Sequence, residues 1–170
     1  MYRQHKTIYS KFEEVKQQCI DLFYKHADLP NNPDGQVSVQ TDNDSSDNWF
    51  NGIGKRQRGD DWEYSFDKLQ PSLRGTPIDE YFQWLGVPVY RSRIMLSREK
   101  SSYSIHFDTS PRLHLPLVTN PQCNFLFTFP LSMIHLPADG RTTWLDTRLP
   151  HTFLNGSLEH RLHLVMIVKE

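Results

Sequence analysis

The stretch HFDTSPRLHLPL, residues 106–117, contains the tetrapeptide RLHL, which returns in HRLHLVMIV at residues 160–168. Polar and apolar residues alternate in both copies, which is typical of a strand with two different faces. Arg112 then shares a face with His114, and Arg161 shares a face with His163. A buried guanidinium needs an anionic partner. The pattern therefore favours a barrel that holds an anion, such as a carboxylate bound by two parallel hydrogen bonds.

The surrounding sequence predicts eight short strands separated by turn signals such as TSP, TNPQ, PADG and LNGS. So many strands in about eighty residues are typical of a sandwich or jelly-roll barrel. We predict a mainly β protein, a cupin-like double-stranded β-helix (jelly roll), with about two N-terminal helices packed outside it. The candidate strands are YRSRIMLS (90–97), SYSIHFD (102–108), RLHLPLVT (112–119), CNFLFTFP (123–130), SMIHL (132–136), RTTWLD (141–146), HTFLN (151–155) and RLHLVMIV (161–168).

The first half of the chain has a different character. Apolar residues from Ile8 to Phe23 recur at helical spacing, and TPIDEYFQWLG (76–86) predicts a second helix with Thr76 as N-cap and Gly86 as its stop. Residues 31–48 predict a surface loop in which QVSVQ is the strand-like piece, and the basic run KRQRG (55–59) is either a solvated loop or a ligand site. We expect one domain over 1–170, with a helical and loop part at 1–89 and the barrel core at 90–170.

The composition of the sequence excludes several classes of protein. The net charge is −1, with no basic excess that would indicate nucleic-acid binding and no charge block typical of a membrane surface. The sequence has no long apolar run, and its start lacks the apolar segment of a signal peptide. Two cysteines in unrelated contexts are too few for a disulfide scaffold. We therefore expect a cytoplasmic protein whose cysteines are reduced and which binds neither nucleic acid nor a membrane. Its expected partner is a small-molecule or peptide substrate, as the resemblance given below implies.

His106 and Asp108 lie two residues apart on the same face of a strand. With a third ligand from a distant strand, they would form the two-His-one-carboxylate triad of non-haem Fe(II) oxygenases. The candidates for the third ligand are His135, His151, His160 and His163. His151 is favoured because it lies ten residues before Arg161, a spacing that lets the two strands pair through a turn. His135 is better explained as a solvated strand-end residue.

The segments IHFD, RLHLPLVTN, WLDTRLPHTFLN and RLHLVMIV, in this order and spacing, resemble the aspartyl/asparaginyl β-hydroxylase family of 2-oxoglutarate- and Fe(II)-dependent oxygenases. The similarity is greatest to its small bacterial branch, which includes the free-L-proline cis-hydroxylases, and it covers about residues 90–170. The resemblance implies that the metal ligands, and so the catalytic residues, are His106, Asp108 and His151. It further implies cosubstrate binding by three residues: Arg161 at the distal carboxylate of 2-oxoglutarate, with Arg112 and His114 assisting.

The same resemblance implies an activity. It predicts a dioxygenase that uses O2, Fe(II) and 2-oxoglutarate to hydroxylate an unactivated C–H bond of an amino acid, or of an amino-acid-like or peptidyl substrate, with release of succinate and CO2. Ascorbate is a candidate stimulant. Asp108 fits hydroxylation, because Gly or Ala there would open a site for halide. The proline hydroxylases continue with a helical segment beyond the second RLHL strand, whereas this sequence ends at Glu170. Either the N-terminal half closes the pocket or the site is open to a larger substrate.

Two other interpretations stay open. The barrel could be a cupin-like module that binds metal and an organic acid without turnover, or a structural domain whose RLHL arginines form buried ion pairs with Asp146 or Glu159. In the oxygenase interpretation the two RLHL strands form two walls of one pocket, and Asp146 orients a neighbouring ligand. Arg91 and Arg93 either meet a substrate carboxylate or decorate an exposed edge strand.

Overall fold

The computed structural model describes residues 2–4, 7–28, 31–32, 35–54 and 61–169, so the basic run at 55–59 lies outside the described residues. The helices are α1 (Phe12–His26) and α2 (Pro77–Leu85), with 3₁₀ turns at Trp62–Ser65 and Pro71–Leu73. The strands are β1 (Tyr2–Gln4), β2 (Gln36–Ser38), β3 (Gln40–Thr41), β4 (Lys68–Leu69), β5 (Tyr90–Ser97), β6 (Ser101–Ser102), β7 (Arg112–Val118), β8 (Cys123–Thr128), β9 (Leu131–His135), β10 (Thr143–Leu145), β11 (His151–Asn155) and β12 (Arg161–Ile167).

Two antiparallel sheets form the body of the protein. The larger sheet has the order β1-β10-β7-β12-β5-β2 and the smaller one β6-β11-β8-β9. From β5 to β12 the chain crosses repeatedly between the two sheets, which is the connectivity of a jelly roll. Aromatic side chains of the small sheet face the large one, with the rings of His114 and Phe125 centred 4.9 Å apart. The predicted mainly β jelly roll is confirmed.

Seven of the eight predicted strand segments coincide with a strand, whereas SYSIHFD shares only Ser102 with β6. The least regular is SYSIHFD, which pairs only at its start in β6 and again at an isolated bridge between His106 and His151. The predicted pairing of β11 with β12 is wrong. These strands lie in different sheets, because residues 156–160 carry the chain from the small sheet to the large one.

The two RLHL strands are also arranged differently from the prediction. β7 and β12 are antiparallel neighbours in the large sheet, with His114 opposite Val165 and Arg112 opposite Ile167. They therefore form one wall of the interior rather than two facing walls. Directly opposite residues in a sheet share a face. The polar residues of both tetrapeptides consequently point into the space between the sheets.

The helices cover the outer face of the large sheet. Phe12, Val15, Cys19 and Phe23 of α1 are buried in one apolar cluster with the leucines of β7 and β12. Gly86 ends α2 with a φ of +65°, as predicted, whereas the Thr76 hydroxyl donates to the Leu73 carbonyl instead of capping the helix. The periodic pattern began too early, since Ile8 precedes α1 and is half-exposed. This layer forms because the apolar outer face of the sheet and the apolar faces of the helices bury each other.

β5 is an interior strand of the large sheet, because β2 pairs along its far side. Arg91 and Arg93 are consequently buried, and the interpretation of an arginine-decorated exposed edge is wrong.

Within the part of the chain that the structure describes, no helix is both long and apolar enough to cross a membrane. Cys19 and Cys123 are both buried and free.

Candidate metal and anion site

His106, Asp108 and His151 converge at one end of the space between the sheets. One ligand atom from each lies within 4.8 Å of the other two. The Nε2 atom of His106 is 4.0 Å from Oδ1 of Asp108, and that of His151 is 3.9 Å from Oδ2. Phe107, between the first two residues, points the opposite way and is largely exposed. Of the four candidates for the third ligand, the structure brings His151 to this group.

Backbone carbonyls orient both imidazoles. Nδ1 of His106 lies 2.8 Å from the Ser104 carbonyl, and Nδ1 of His151 lies 2.9 Å from the Leu149 carbonyl. Each carbonyl must accept the Nδ1 proton, which leaves the Nε2 lone pair free toward Asp108. Metal-binding histidines are commonly fixed in this way. Burial also lowers the pKa of His151, which keeps this ring neutral and able to ligate a cation.

Arg112 accompanies the carboxylate of this triad. Its Nε lies 2.7 Å from Oδ2 of Asp108, although the N–H is not aligned for a hydrogen bond. Burial alone would raise the pKa of Asp108, but the Arg112 charge, followed by the nearby histidines, holds that pKa below its ordinary value. Asp108 is therefore ionised, as a metal ligand must be. The structure places Arg112 beside a predicted metal ligand.

A buried carboxylate from the N-terminal half completes this end of the site. Glu63 accepts hydrogen bonds from Arg91 at 2.5 Å, from Thr109 at 2.9 Å and from Ser110 at 2.8 Å. It also lies 3.6 Å from Nη2 of Arg112. Burial raises the pKa of Glu63, but Arg112 and these hydrogen bonds outweigh burial and lower it. Glu63 thus fixes both the arginine beside Asp108 and the loop that follows Asp108.

Arg161 lies deeper between the sheets, in an apolar setting. Its guanidinium carbon is 3.8 Å from the centre of the Phe153 ring and 5.3 Å from that of Phe125. Among the described residues no carboxylate pairs with Arg161, and its buried Nε has no hydrogen-bond partner. Burial lowers the pKa of Arg161 to about 9. A buried cation without an anion is the arrangement that a carboxylate ligand would complete.

Two neutral imidazoles lie beside this guanidinium. Nη2 of Arg161 contacts Nδ1 of His163, and that atom is 3.4 Å from Nδ1 of His114. Burial, followed by the Arg161 charge, holds the pKa of both histidines well below its ordinary value. Their buried Nε2 atoms have no partner within the described structure. Arg161 and these two rings therefore offer several unsatisfied polar atoms to a ligand between the sheets.

The other predicted residues lie elsewhere. His160 is exposed beside Glu99, and His135 lies on the edge strand β9 with its Nδ1 2.9 Å from the Cys123 carbonyl. Asp146 pairs with Arg148 and orients none of the three triad side chains. The ion pairs proposed for a structural domain, between the RLHL arginines and Asp146 or Glu159, are absent from the described residues.

Sequence reasoning missed Glu63. It lies in the stretch DDWEYSF, which carries no recognisable motif, and no periodic pattern distinguishes it from its acidic neighbours.

Two surface grooves also lie away from the triad. One, of about 900 Å³, runs between α1 and the start of α2, and the other, of about 420 Å³, lies beside Val87 to Tyr90. Neither groove is lined by a residue that the sequence predicts to bind metal or cosubstrate. We place the candidate site between the sheets, where donor geometry and unpaired charge coincide.

No protein-family model matches the sequence, and no curated protein matches it. Among solved structures, EctD from S. alaskensis has a TM-score of 0.55 at 11% identity, over 98% of this chain and 72% of EctD. The carbocyclase SnoK from nogalamycin biosynthesis has a TM-score of 0.49 at 13% identity, over 98% and 80% of the two chains. A Pseudomonas putida prolyl-4-hydroxylase has a TM-score of 0.48 at 14% identity, over 99% and 92%. The likeness to EctD supports the jelly-roll fold and, at this identity, concerns the fold alone.

Proposed function

We propose that this protein is a 2-oxoglutarate- and Fe(II)-dependent dioxygenase that hydroxylates an unactivated C–H bond of an amino acid or amino-acid-like substrate. The observation that carries the proposal is the coexistence of two features in one interior: three converging metal donors, and a buried arginine for which the described residues provide no carboxylate. The order of the IHFD, RLHL, LPH and RLHL motifs further supports membership of the aspartyl/asparaginyl β-hydroxylase family, near its free-proline hydroxylases.

The donor set suits Fe(II). Two imidazole nitrogens and one carboxylate on one side of a metal form a facial triad, which leaves the opposite positions open. His106, Asp108 and His151 would hold the ion. When bound, Fe(II) and 2-oxoglutarate activate dioxygen and oxidise the C–H bond, with succinate and CO2 as the coproducts. The protein itself supplies the orientation of the two rings and an ionised Asp108 held by Arg112.

Arg161 is assigned to the distal carboxylate of 2-oxoglutarate. It is the predicted cosubstrate residue that pairs with no carboxylate among the described side chains. His114 lies between this guanidinium and the metal end of the site, and Arg112 lies at the metal end itself. Together they would orient a keto acid that is held at the ligand triad and at Arg161. Phe125 and Phe153 exclude water around the guanidinium, which strengthens the ionic contact.

An anaerobic titration tests this function. Apoprotein receives Fe(II) and then 2-oxoglutarate, and the visible charge-transfer absorption of the chelate is recorded for wild type, His151→Ala and His160→Ala. We expect the band in wild type and His160→Ala, since His160 is exposed beside Glu99, and its loss in His151→Ala. Admission of O2 with candidate amino acids should then release succinate. A band without succinate release would instead support a binding module, and no iron binding in wild type would contradict the proposal.

A further inference from the structure

Arg93 lies on the same inner surface as the candidate site. It is opposite Val165 of β12 and opposite Ser38 of β2, so its side chain shares the inward face that carries His163 and Arg161. Only 3% of its surface is exposed. This arginine is therefore a buried interior residue, and its role depends on which groups surround its guanidinium.

The guanidinium of Arg93 has few partners. Its Nη1 donates to Oε1 of Gln36 at 3.0 Å, and its buried Nε has no hydrogen-bond partner. Across the residues that the structure describes, no carboxylate forms an ion pair with it. Arg91, two residues earlier, has a partner for each of its three guanidinium nitrogens: it donates to Glu63 and to the carbonyls of Gly52 and Gly54.

Among the residues that the structure describes, the charges at this end of the interior do not balance. Three buried arginines, Arg91, Arg93 and Arg112, lie near two carboxylates, the buried Glu63 and the partly buried Asp108. The carboxylates contact the first and third of these arginines, so the excess positive charge resides on Arg93. A buried charge without a partner destabilises a fold, and such groups are commonly retained for function. A bound divalent metal would increase the excess further.

We propose that Arg93, with Gln36 beside it, binds the carboxylate of the substrate that is oxidised. This inference rests on the proposed function, in which Arg161 is occupied by the cosubstrate. Arg161 lies opposite Ser97, four residues along β5 from Arg93, which separates the two backbone positions by about 13 Å along the strand. The two unpaired arginines thus define two anion sites. The substrate class is then a small free carboxylic acid, such as a free amino acid, rather than an internal residue of a peptide.

The first test uses acetate as the probe and thermal stability as the readout. Wild type, Arg93→Gln and Arg74→Gln are each saturated with Zn(II) and 2-oxoglutarate, which occupies Arg161, and acetate is added at constant ionic strength. Arg74 is an exposed arginine paired with Asp44, and its variant is the control. We expect acetate to raise the melting temperature of wild type and of the control but not of Arg93→Gln. Without acetate, Arg93→Gln should be at least as stable as wild type.

A structural role for Arg93 would give the opposite pattern. Arg93→Gln would then be less stable than wild type, and acetate would act equally on all three proteins, which would overturn the inference. The Fe(II) and 2-oxoglutarate titration reports the proposed function separately. If Arg93→Gln keeps the charge-transfer band but responds to acetate as wild type does, the role of Arg93 is contradicted while the proposed function is not.

The second test addresses the substrate class. Free L-amino acids and their carboxamides are compared for stimulation of succinate release. We expect the best acid to act at concentrations at least about tenfold below its carboxamide, and Arg93→Gln to lose this preference while its 2-oxoglutarate affinity changes less than about threefold. Equal stimulation by acid and carboxamide would contradict the inference. If no amino acid stimulates release, the acetate response decides the matter.

Discussion

Arg161→Gln removes the charge that we assign to 2-oxoglutarate while keeping a polar side chain of similar reach. Arg161 is stacked on Phe153, lies near Phe125 and is 4% exposed. Because the described residues offer Arg161 no carboxylate, the substitution breaks no ion pair among them. The variant should therefore fold, and its free energy of unfolding should equal or exceed that of wild type.

The magnitude of the binding defect follows from the same burial. Burial lowers the pKa of Arg161 to about 9, so the folded protein disfavours the charged guanidinium until an anion binds beside it. Truncating one partner of a buried charge pair typically costs about 2–5 kcal/mol. We expect the dissociation constant for 2-oxoglutarate to rise between about 30-fold and a few thousand-fold.

The assay is the anaerobic charge-transfer titration with Fe(II) already bound. Arg3→Gln is a matched control, because that guanidinium also lies over an aromatic ring, 4.2 Å from the centre of Trp144, but on the outermost strand of the large sheet. Iron affinity should be equal in all three proteins. If Arg161→Gln binds 2-oxoglutarate within about threefold of wild type, then Arg161 does not hold the cosubstrate, and the reasoning from its unpaired charge is refuted.

Two further predictions concern stability. Glu63→Gln should lower the free energy of unfolding by about 3–5 kcal/mol in urea denaturation, because it leaves buried arginines uncompensated. Glu80→Gln, which breaks a half-exposed pair with Lys11, should change the free energy of unfolding far less, and equal effects would contradict the role of Glu63. Burial depresses the pKa of His114 and His163 in the folded state, so below about pH 6.5 the unfolded chain binds more protons than the folded one. As the pH falls below this value, the free energy of unfolding of the apoprotein should decrease by up to about 1.4 kcal/mol per pH unit for each of the two histidines. His163→Gln should reduce that slope, and an unchanged slope would disprove the assignment.

The fold was predictable because its signals are local. Alternating polarity and turn residues set the strands, and β5 and β11 have the predicted bounds, Tyr90–Ser97 and His151–Asn155. Alternation also placed Arg112 with His114 and Arg161 with His163 on one inward face. The convergence of His106, Asp108 and His151 was anticipated from motif order, and its use as a metal site stays a prediction that the titrations test.

What the sequence did not reveal depends on contacts between distant segments. The crossing of residues 156–160 between sheets cannot be distinguished from a hairpin turn by composition, so β11 was wrongly paired with β12. Glu63 reaches the interior from an irregular segment that carries no periodic pattern, and Gln36 from a strand of three residues within the stretch predicted as a surface loop. The burial of Arg93 depends on β2, whose three residues cover the far side of β5. In each case the deciding information is which segment becomes a neighbour in space.

Two identical tetrapeptides acquire different tasks because their strands run antiparallel. β7 and β12 are neighbours, so the histidines of the two copies meet near the middle, with 3.4 Å between the Nδ1 atoms of His114 and His163. The arginines diverge to opposite ends. Arg112 reaches Asp108 and Glu63 and is neutralised, whereas Arg161 enters an aromatic pocket and is not. A parallel arrangement would have placed both arginines at one end, with both charges competing for the same carboxylates. The antiparallel pairing leaves one arginine free for a ligand that extends from the metal end past the histidines.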